Sequence, residues 1–199
     1  MPMAGSSTAD APAFYFDLRS PEAYLAAERV MQTLPVAAEW IPVLSEDLPG
    51  ADTLEGFRCE TDREAFLDRI ARTAERRGLQ PLRWPQPFPF DSAFAMRAAT
   101  YAKQIGRTVP FALAAFRQAF AGGRDLSVAD NVLIAAAACE MHPAAVLKGA
   151  GLTSIATRLD AATALAAQRG VRDVPCVWLP AGDVFRGDDA LDEAARALR

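Results

Sequence analysis

The chain has 199 residues, 51% apolar and 23% charged, the make-up of an ordinary globular protein with room for one domain or one domain carrying an insertion. Its 21 Lys+Arg against 25 Asp+Glu leave a net charge of −4, which offers no basic footprint for a phosphate backbone and excludes nucleic acid as an expected partner. Residues 1–11, small and polar with neither a basic start nor an apolar run, read as a disordered leader and not a signal peptide. The longest apolar stretch, Val132 to Cys139, is too short to span a bilayer, so a cytoplasmic protein without membrane contact is expected.

Ala13 to Leu18 is a short aromatic and apolar run that predicts a buried strand, stopped at Arg19-Ser20-Pro21. Ser followed by Pro starts a helix, because the hydroxyl accepts from an orphan N–H and proline at the first helical position has no N–H to lose. Tyr24, Leu25, Ala27, Val30, Met31 and Leu34 then recur at helical spacing up to Pro35. Val36 to Leu44 is the next strand candidate. The crossover between them is short, which implies parallel neighbours.

Beyond the turn-rich segment 45–56, Thr61-Asp62-Arg63-Glu64 predicts a capping box for a helix to Arg77, closed by Gly78, with Phe66, Leu67, Ile70 and Ala74 as its buried stripe. The prolines of Trp84 to Phe90 forbid helix and central strand and predict a rigid extended connector. From Asp91 to about Arg169 the pattern is wholly helical, broken at Gly106, Gly122-Gly123, His142-Pro143 and Gly149-Ala150-Gly151. One of these helices is expected to be capped by Ser127 with Asp130 in its first turn, and the last to end at Gly170. Cys176 to Leu179 and Val184 to Arg186 predict a hairpin, followed by a closing helix from about Asp188 to Leu198. The order is β-α-β, a large helical insert, then α-β-β-α: an α/β chain with the order of a thioredoxin-like fold that carries an all-helical insertion. Residues 12–90 and 152–199 make the thioredoxin-like domain and 91–151 the insertion, and the sheet is expected in the order 4-3-1-2 with its third strand antiparallel to its first.

The three cysteines, Cys59, Cys139 and Cys176, are odd in number and far apart, a pattern for neither a disulfide framework nor a zinc site. They read as small, buried or half-buried apolar residues. With His142 as the one histidine no metal centre is expected, and its place between two helical patterns suits a loop or cap.

Four segments then carry a resemblance. Phe14 to Tyr24 resembles the opening of 2-hydroxychromene-2-carboxylate isomerases and kappa-class glutathione transferases, a branch of the DsbA-like family, where a strand, Ser-Pro and an aromatic lead into the first helix. Pro87-Phe88-Pro89-Phe90-Asp91-Ser92 with Arg97 is similar to the segment that opens their insert, Gly170 to Val177 to their Gly-Val-x-x-Val-Pro stretch, and Phe185-Arg186-Gly187-Asp188-Asp189 to the start of their last helix.

The resemblance implies a cis Val174-Pro175 peptide whose backbone can pair with glutathione added as a short strand; on the residues alone, Pro175 merely starts a strand. It also places Ser20 where redox members carry the first cysteine of Cys-x-x-Cys, a motif this chain lacks. In the isomerase and transferase branch that hydroxyl bonds the glutathione sulfur; on its own terms Ser20 is a helix N-cap worth about 1 kcal/mol, so two roles compete for one hydroxyl. Asp188 and Asp189 are expected to cap the final helix, and one of them, Asp189 for preference, to receive the γ-glutamyl ammonium. Glutathione is thus the implied cofactor, beside a small aromatic-derived substrate, in a homodimer.

Three positions depart from the family pattern. Glu22 stands in the first turn of the first helix, where it either favours that helix or repels a bound thiolate, according to its rotamer. Ser45-Glu46-Asp47 puts negative charge where a ligand with carboxylates would lie, and Ala190 replaces the usual arginine. The alternative to a glutathione-dependent isomerase or transferase is therefore a non-catalytic member that has lost glutathione use. A redox protein using Cys176 is a third reading, with no resolving cysteine beside it.

Overall fold

The computed structural model describes residues 11–50, 57 and 59–199, so the leader expected over 1–11 lies, Ala11 apart, outside the described residues. Four strands, β1 (Ala13–Phe16), β2 (Glu39–Pro42), β3 (Cys176–Trp178) and β4 (Val184–Arg186), form one sheet in the order β2-β1-β3-β4. β1 and β2, joined by a helical crossover, are parallel, β3 and β4 form an antiparallel hairpin, and β3 also runs antiparallel to β1. The strands are shorter than the apolar runs: Leu18 and Val43 lie beyond the strand ends and remain fully buried, Val43 with its N–H donating to the Phe16 carbonyl at 3.1 Å.

Nine α-helices accompany the sheet among the described residues: α1 (Pro21–Ala27), α2 (Val30–Thr33), α3 (Glu60–Arg76), α4 (Ala93–Gln104), α5 (Thr108–Phe120), α6 (Ala129–Ala137), α7 (Pro143–Ala150), α8 (Thr153–Gln168) and α9 (Leu191–Ala197). Residues 93–150 hold α4 to α7 and no strand. Alternate residues of β1 serve opposite faces. Phe14 and Phe16 join Trp40, Tyr24, Phe116 and Phe120 in the larger core under α1 and the inserted helices, while Ala13 and Tyr15 join Ile41, Cys176 and Ala166 of α8. The inserted helices close tightly on small residues: Ala95, Ala98, Ala99 and Ala102 of α4 are fully buried, and a Cβ at Gly149 of α7 would stand 2.4 Å from the Tyr101 ring.

Three local expectations are corrected. The helix predicted from Pro21 to Leu34 breaks into α1 and α2 at Glu28-Arg29. Each of these residues is drawn to a different element, Glu28 by Arg117 of α5 at 2.6 Å and Arg29 to Asp192 of α9 at 2.7 Å, pulls that periodicity does not carry. The capping box is not formed: α3 is entered at Glu60 with Cys59 at the N-cap, so Thr61 lies inside the helix, and Glu60 and Asp62 meet the helix dipole instead. Ser127 caps no helix either, because its amide and hydroxyl both bond the Asp125 carboxylate (2.8 and 2.7 Å). α6 starts at Ala129 with Asp130 in its first turn. His142 does cap α7, Nδ1 accepting from Ala144 N–H at 3.2 Å, and Gly78 and Gly170 close α3 and α8 at φ 66° and 86°.

Candidate functional site

β1 ends in a turn built on Asp17, whose side chain is fully buried. One carboxylate oxygen accepts from Arg19 N–H at 3.1 Å, and the other from the amide and hydroxyl of Ser45, both at 2.9 Å. Burial pushes the Asp17 carboxyl above its ordinary value, against the pull of these bonds and of one from Ser92. Asp17 thereby ties the end of β1 to the segment after β2 and to the entry of α4, and so sets where the next residues point.

The next residues are the start of α1. Ser20, 4% exposed, has extended dihedrals (φ −88°, ψ 116°), and its Oγ accepts from Ala23 N–H at 3.1 Å, the N-cap geometry read from the sequence. The same hydroxyl donates to the carbonyl of Val174, at 3.4 Å and across 154 positions of sequence. Val174-Pro175 is cis. Ser20, Val174 and Pro175 are therefore brought together, and the two roles that competed for the hydroxyl turn out to share it: cap acceptor and tertiary donor.

The Val174 loop is fixed by its own neighbours. Val174 N–H donates to Oδ1 of Asp173 at 2.7 Å, and Oδ2 of Asp173 is held by Arg186 of β4 at 2.8 Å. Gly187 N–H donates to the Pro175 carbonyl at 2.9 Å, which lashes the end of β4 to the same loop. Asp173 and Arg186 were not singled out in the sequence. The available signal was an acid directly before Val174-Pro175, but nothing local says which donor it meets.

Of the acids that depart from the family pattern, Glu22 and Glu46 are paired, while Asp47 is exposed to solvent. Glu22 turns away to Arg69 of α3 at 2.8 Å, and Glu46 meets the buried guanidinium of Arg19 at 2.9 Å. Neither stands as an uncompensated negative charge beside Ser20. The acids at the last helix behave differently from expectation. α9 begins at Leu191 with Ala190 at the N-cap and no side-chain capping bond. Asp188 does not cap it; its carboxylate is buried and paired with Arg77, the C-cap of α3, with Oδ1 left without a hydrogen-bond partner. Asp189 does not cap it either. Its side chain is 97% exposed and 4.0 Å from Arg77. The carboxylate of Asp188 is drawn off by a cation 111 positions away, a pairing stronger than a cap and invisible in local sequence.

The cysteines are free, Cys59 exposed and Cys139 and Cys176 buried. Cys176 is 1% exposed inside β3, and burial pushes its thiol up to about 12, which weighs against Cys176 as a redox centre. Among the described residues no group of His, Cys, Asp and Glu is arranged to hold a metal ion, and no helix is long and apolar enough to cross a membrane.

A mixed four-stranded sheet, a cis-proline before β3 and a helix started beside it define a thioredoxin-like domain with helices inserted between β2 and β3. The DSBA-like thioredoxin domain family matches residues 13–199, and the chain belongs to that family. Among solved structures it is similar to a 2-hydroxychromene-2-carboxylate isomerase (18% identity, 94% of each chain covered, TM-score 0.83). It is also similar to a probable DsbA oxidoreductase from Streptomyces coelicolor (20% identity, 94% of this chain and 88% of that one, TM-score 0.72) and to the cytosolic disulfide reductase DsbM from Pseudomonas aeruginosa (14%, 95% and 98%, TM-score 0.64). At these identities the likeness is one of fold. A sequence search of curated proteins finds no match.

Proposed function

We propose that the chain is a glutathione-dependent isomerase or transferase of the 2-hydroxychromene-2-carboxylate isomerase type, acting on a small aromatic-derived substrate, with glutathione as its cofactor. The observation that carries this reading is the Ser20 hydroxyl at the start of α1, 3.4 Å from the Val174 carbonyl. That bond is at the long end of the range and is readily exchanged for one to a thiolate sulfur. Glutathione lies along Val174 as a short added strand, its sulfur at Ser20. The pairing of Glu22 with Arg69 and of Glu46 with Arg19 supports the reading, since it removes the repulsion those acids would exert on an anionic tripeptide. Asp189, 97% exposed and only loosely paired with Arg77 at 4.0 Å, receives the γ-glutamyl ammonium. Dithiol exchange is not part of the reading, because the sequence holds no Cys-x-x-Cys pair. A cytoplasmic homodimer goes with it.

One observation favours a second reading, a non-catalytic member: the N–H and the carbonyl of Val174 are both engaged internally, by Asp173 and Ser20. Calorimetric titration with reduced glutathione decides between the two. The expected result is weak binding, tightened by Glu22→Ala, which frees the Arg69 guanidinium. Ser20→Ala is expected to reduce turnover of a glutathione adduct by far more than the loss of about 1 kcal/mol of helix capping accounts for. No binding by the parent chain or by Glu22→Ala at millimolar glutathione establishes the non-catalytic reading.

A further inference from the structure

Both backbone groups of Val174 are held from within the chain, its N–H by Asp173 and its carbonyl by Ser20. Oδ1 of Asp173 accepts the Val174 N–H at 2.7 Å, so the backbone donor of Val174 is taken by the chain's own carboxylate. The carboxylate is not loose: Oδ2 accepts from Arg186 at 2.8 Å, Asp173 is 5% exposed, and Val174 is 4% exposed. Arg186, whose side chain is 52% exposed, reaches from β4 to solvent. The pair is thus buried at its inner end and wet at its outer end.

We propose, resting on the reading above, that Asp173 is a latch on the Val174 backbone that sets the affinity of the site and the class of ligand it accepts. With the latch closed, Asp173 satisfies Val174 N–H and Ser20 satisfies Val174 C=O, and no peptide pairs there. With it open, the carboxylate turns outward toward solvent with Arg186 and is not left buried and unpaired. The exposed N–H then costs free energy unless the ligand brings an acceptor of its own. A thiol flanked by peptide groups supplies that acceptor, and a simple thiol does not. The ligand class is therefore peptidyl thiols, and Asp173 discriminates against the rest by holding the site shut to them.

The test is calorimetric titration of the full chain, Asp173→Ala and Asp173→Asn with two probes: reduced glutathione, and the neutral blocked peptide acetyl-Gly-Cys-Gly-amide. Asp173→Ala removes the competitor for Val174 N–H and is expected to bind both probes at least tenfold more tightly than the parent. Asp173→Asn keeps the shape and an uncharged acceptor, whose bond is about half as strong as a charge-assisted one, so it gains about threefold. It carries the test if the alanine variant does not fold. Equal affinities for parent and variants overturn the latch and leave the glutathione reading standing. A gain for glutathione without one for the neutral peptide marks the removal of a negative charge and overturns the latch. A gain for the blocked peptide in variants that ignore glutathione supports the latch and removes glutathione as the ligand. No binding of either probe by any of the three proteins overturns both.

Discussion

The two faces of the sheet are built on different principles. The face under α1 and the insert is aromatic and dry: Phe16 lies 5.9 Å from Phe116 and 5.8 Å from Trp40, and Tyr24 stacks on Phe120 at 5.7 Å. The face under α8 is smaller and ends in a polar staple. The hydroxyl of the fully buried Tyr15 bonds Arg169 at 2.8 Å, and that guanidinium lies 3.9 Å over the Trp178 ring. Burial pushes the Tyr15 phenol above its ordinary value against the opposing pull of Arg169, so the pair works with the phenol protonated. The aromatic face also carries α1 and hence Ser20. Val174 packs in the smaller core on the α8 face, so the two halves of the site rest on different faces of the sheet.

The largest effect that would break this contrast is at Phe16. Phe16→Ala removes a ring from the centre of the aromatic face and should cost about 3–5 kcal/mol in urea unfolding; a loss as small as that at Tyr15 would show that the two faces are not different in kind. Gly149→Ala comes next, because its Cβ meets the Tyr101 ring and α7 must back away from α4. A loss of about 1–3 kcal/mol is expected, and an unchanged Tm would mean that the ring moves freely aside. Tyr15→Phe keeps the ring, leaves Arg169 stacked on Trp178 and should cost only about 1 kcal/mol. The smallest effect is a null result on the α8 face. A thiol with pKa about 12 has on the order of one thiolate in ten thousand at pH 8, so maleimide under native conditions should mark Cys59 and leave Cys176 unmarked by mass spectrometry until the chain unfolds.

What the sequence by itself determined is the sheet and most of the helices. Period-two and period-3.6 patterns, a Ser-Pro start and glycine stops are local signals; they carry the parallel β1–β2 pair and the β3–β4 hairpin, while the order β2-β1-β3-β4 with β3 reversed followed from the likeness of the element order to a thioredoxin-like fold. They also carry Ser20 as a cap. The site around it was legible only where one residue answers to its own neighbours. Glu22 had two rotamers open until Arg69, 47 positions on, took it; Asp188 reads as a cap until Arg77 pairs with it; and Asp173, silent in the sequence, becomes the group that closes Val174 because Arg186 of β4 holds it there. Tertiary structure decided these, since a buried or half-buried charge goes to the opposite charge that folding brings within reach, and that partner is set by the packing of distant elements and not by spacing along the chain.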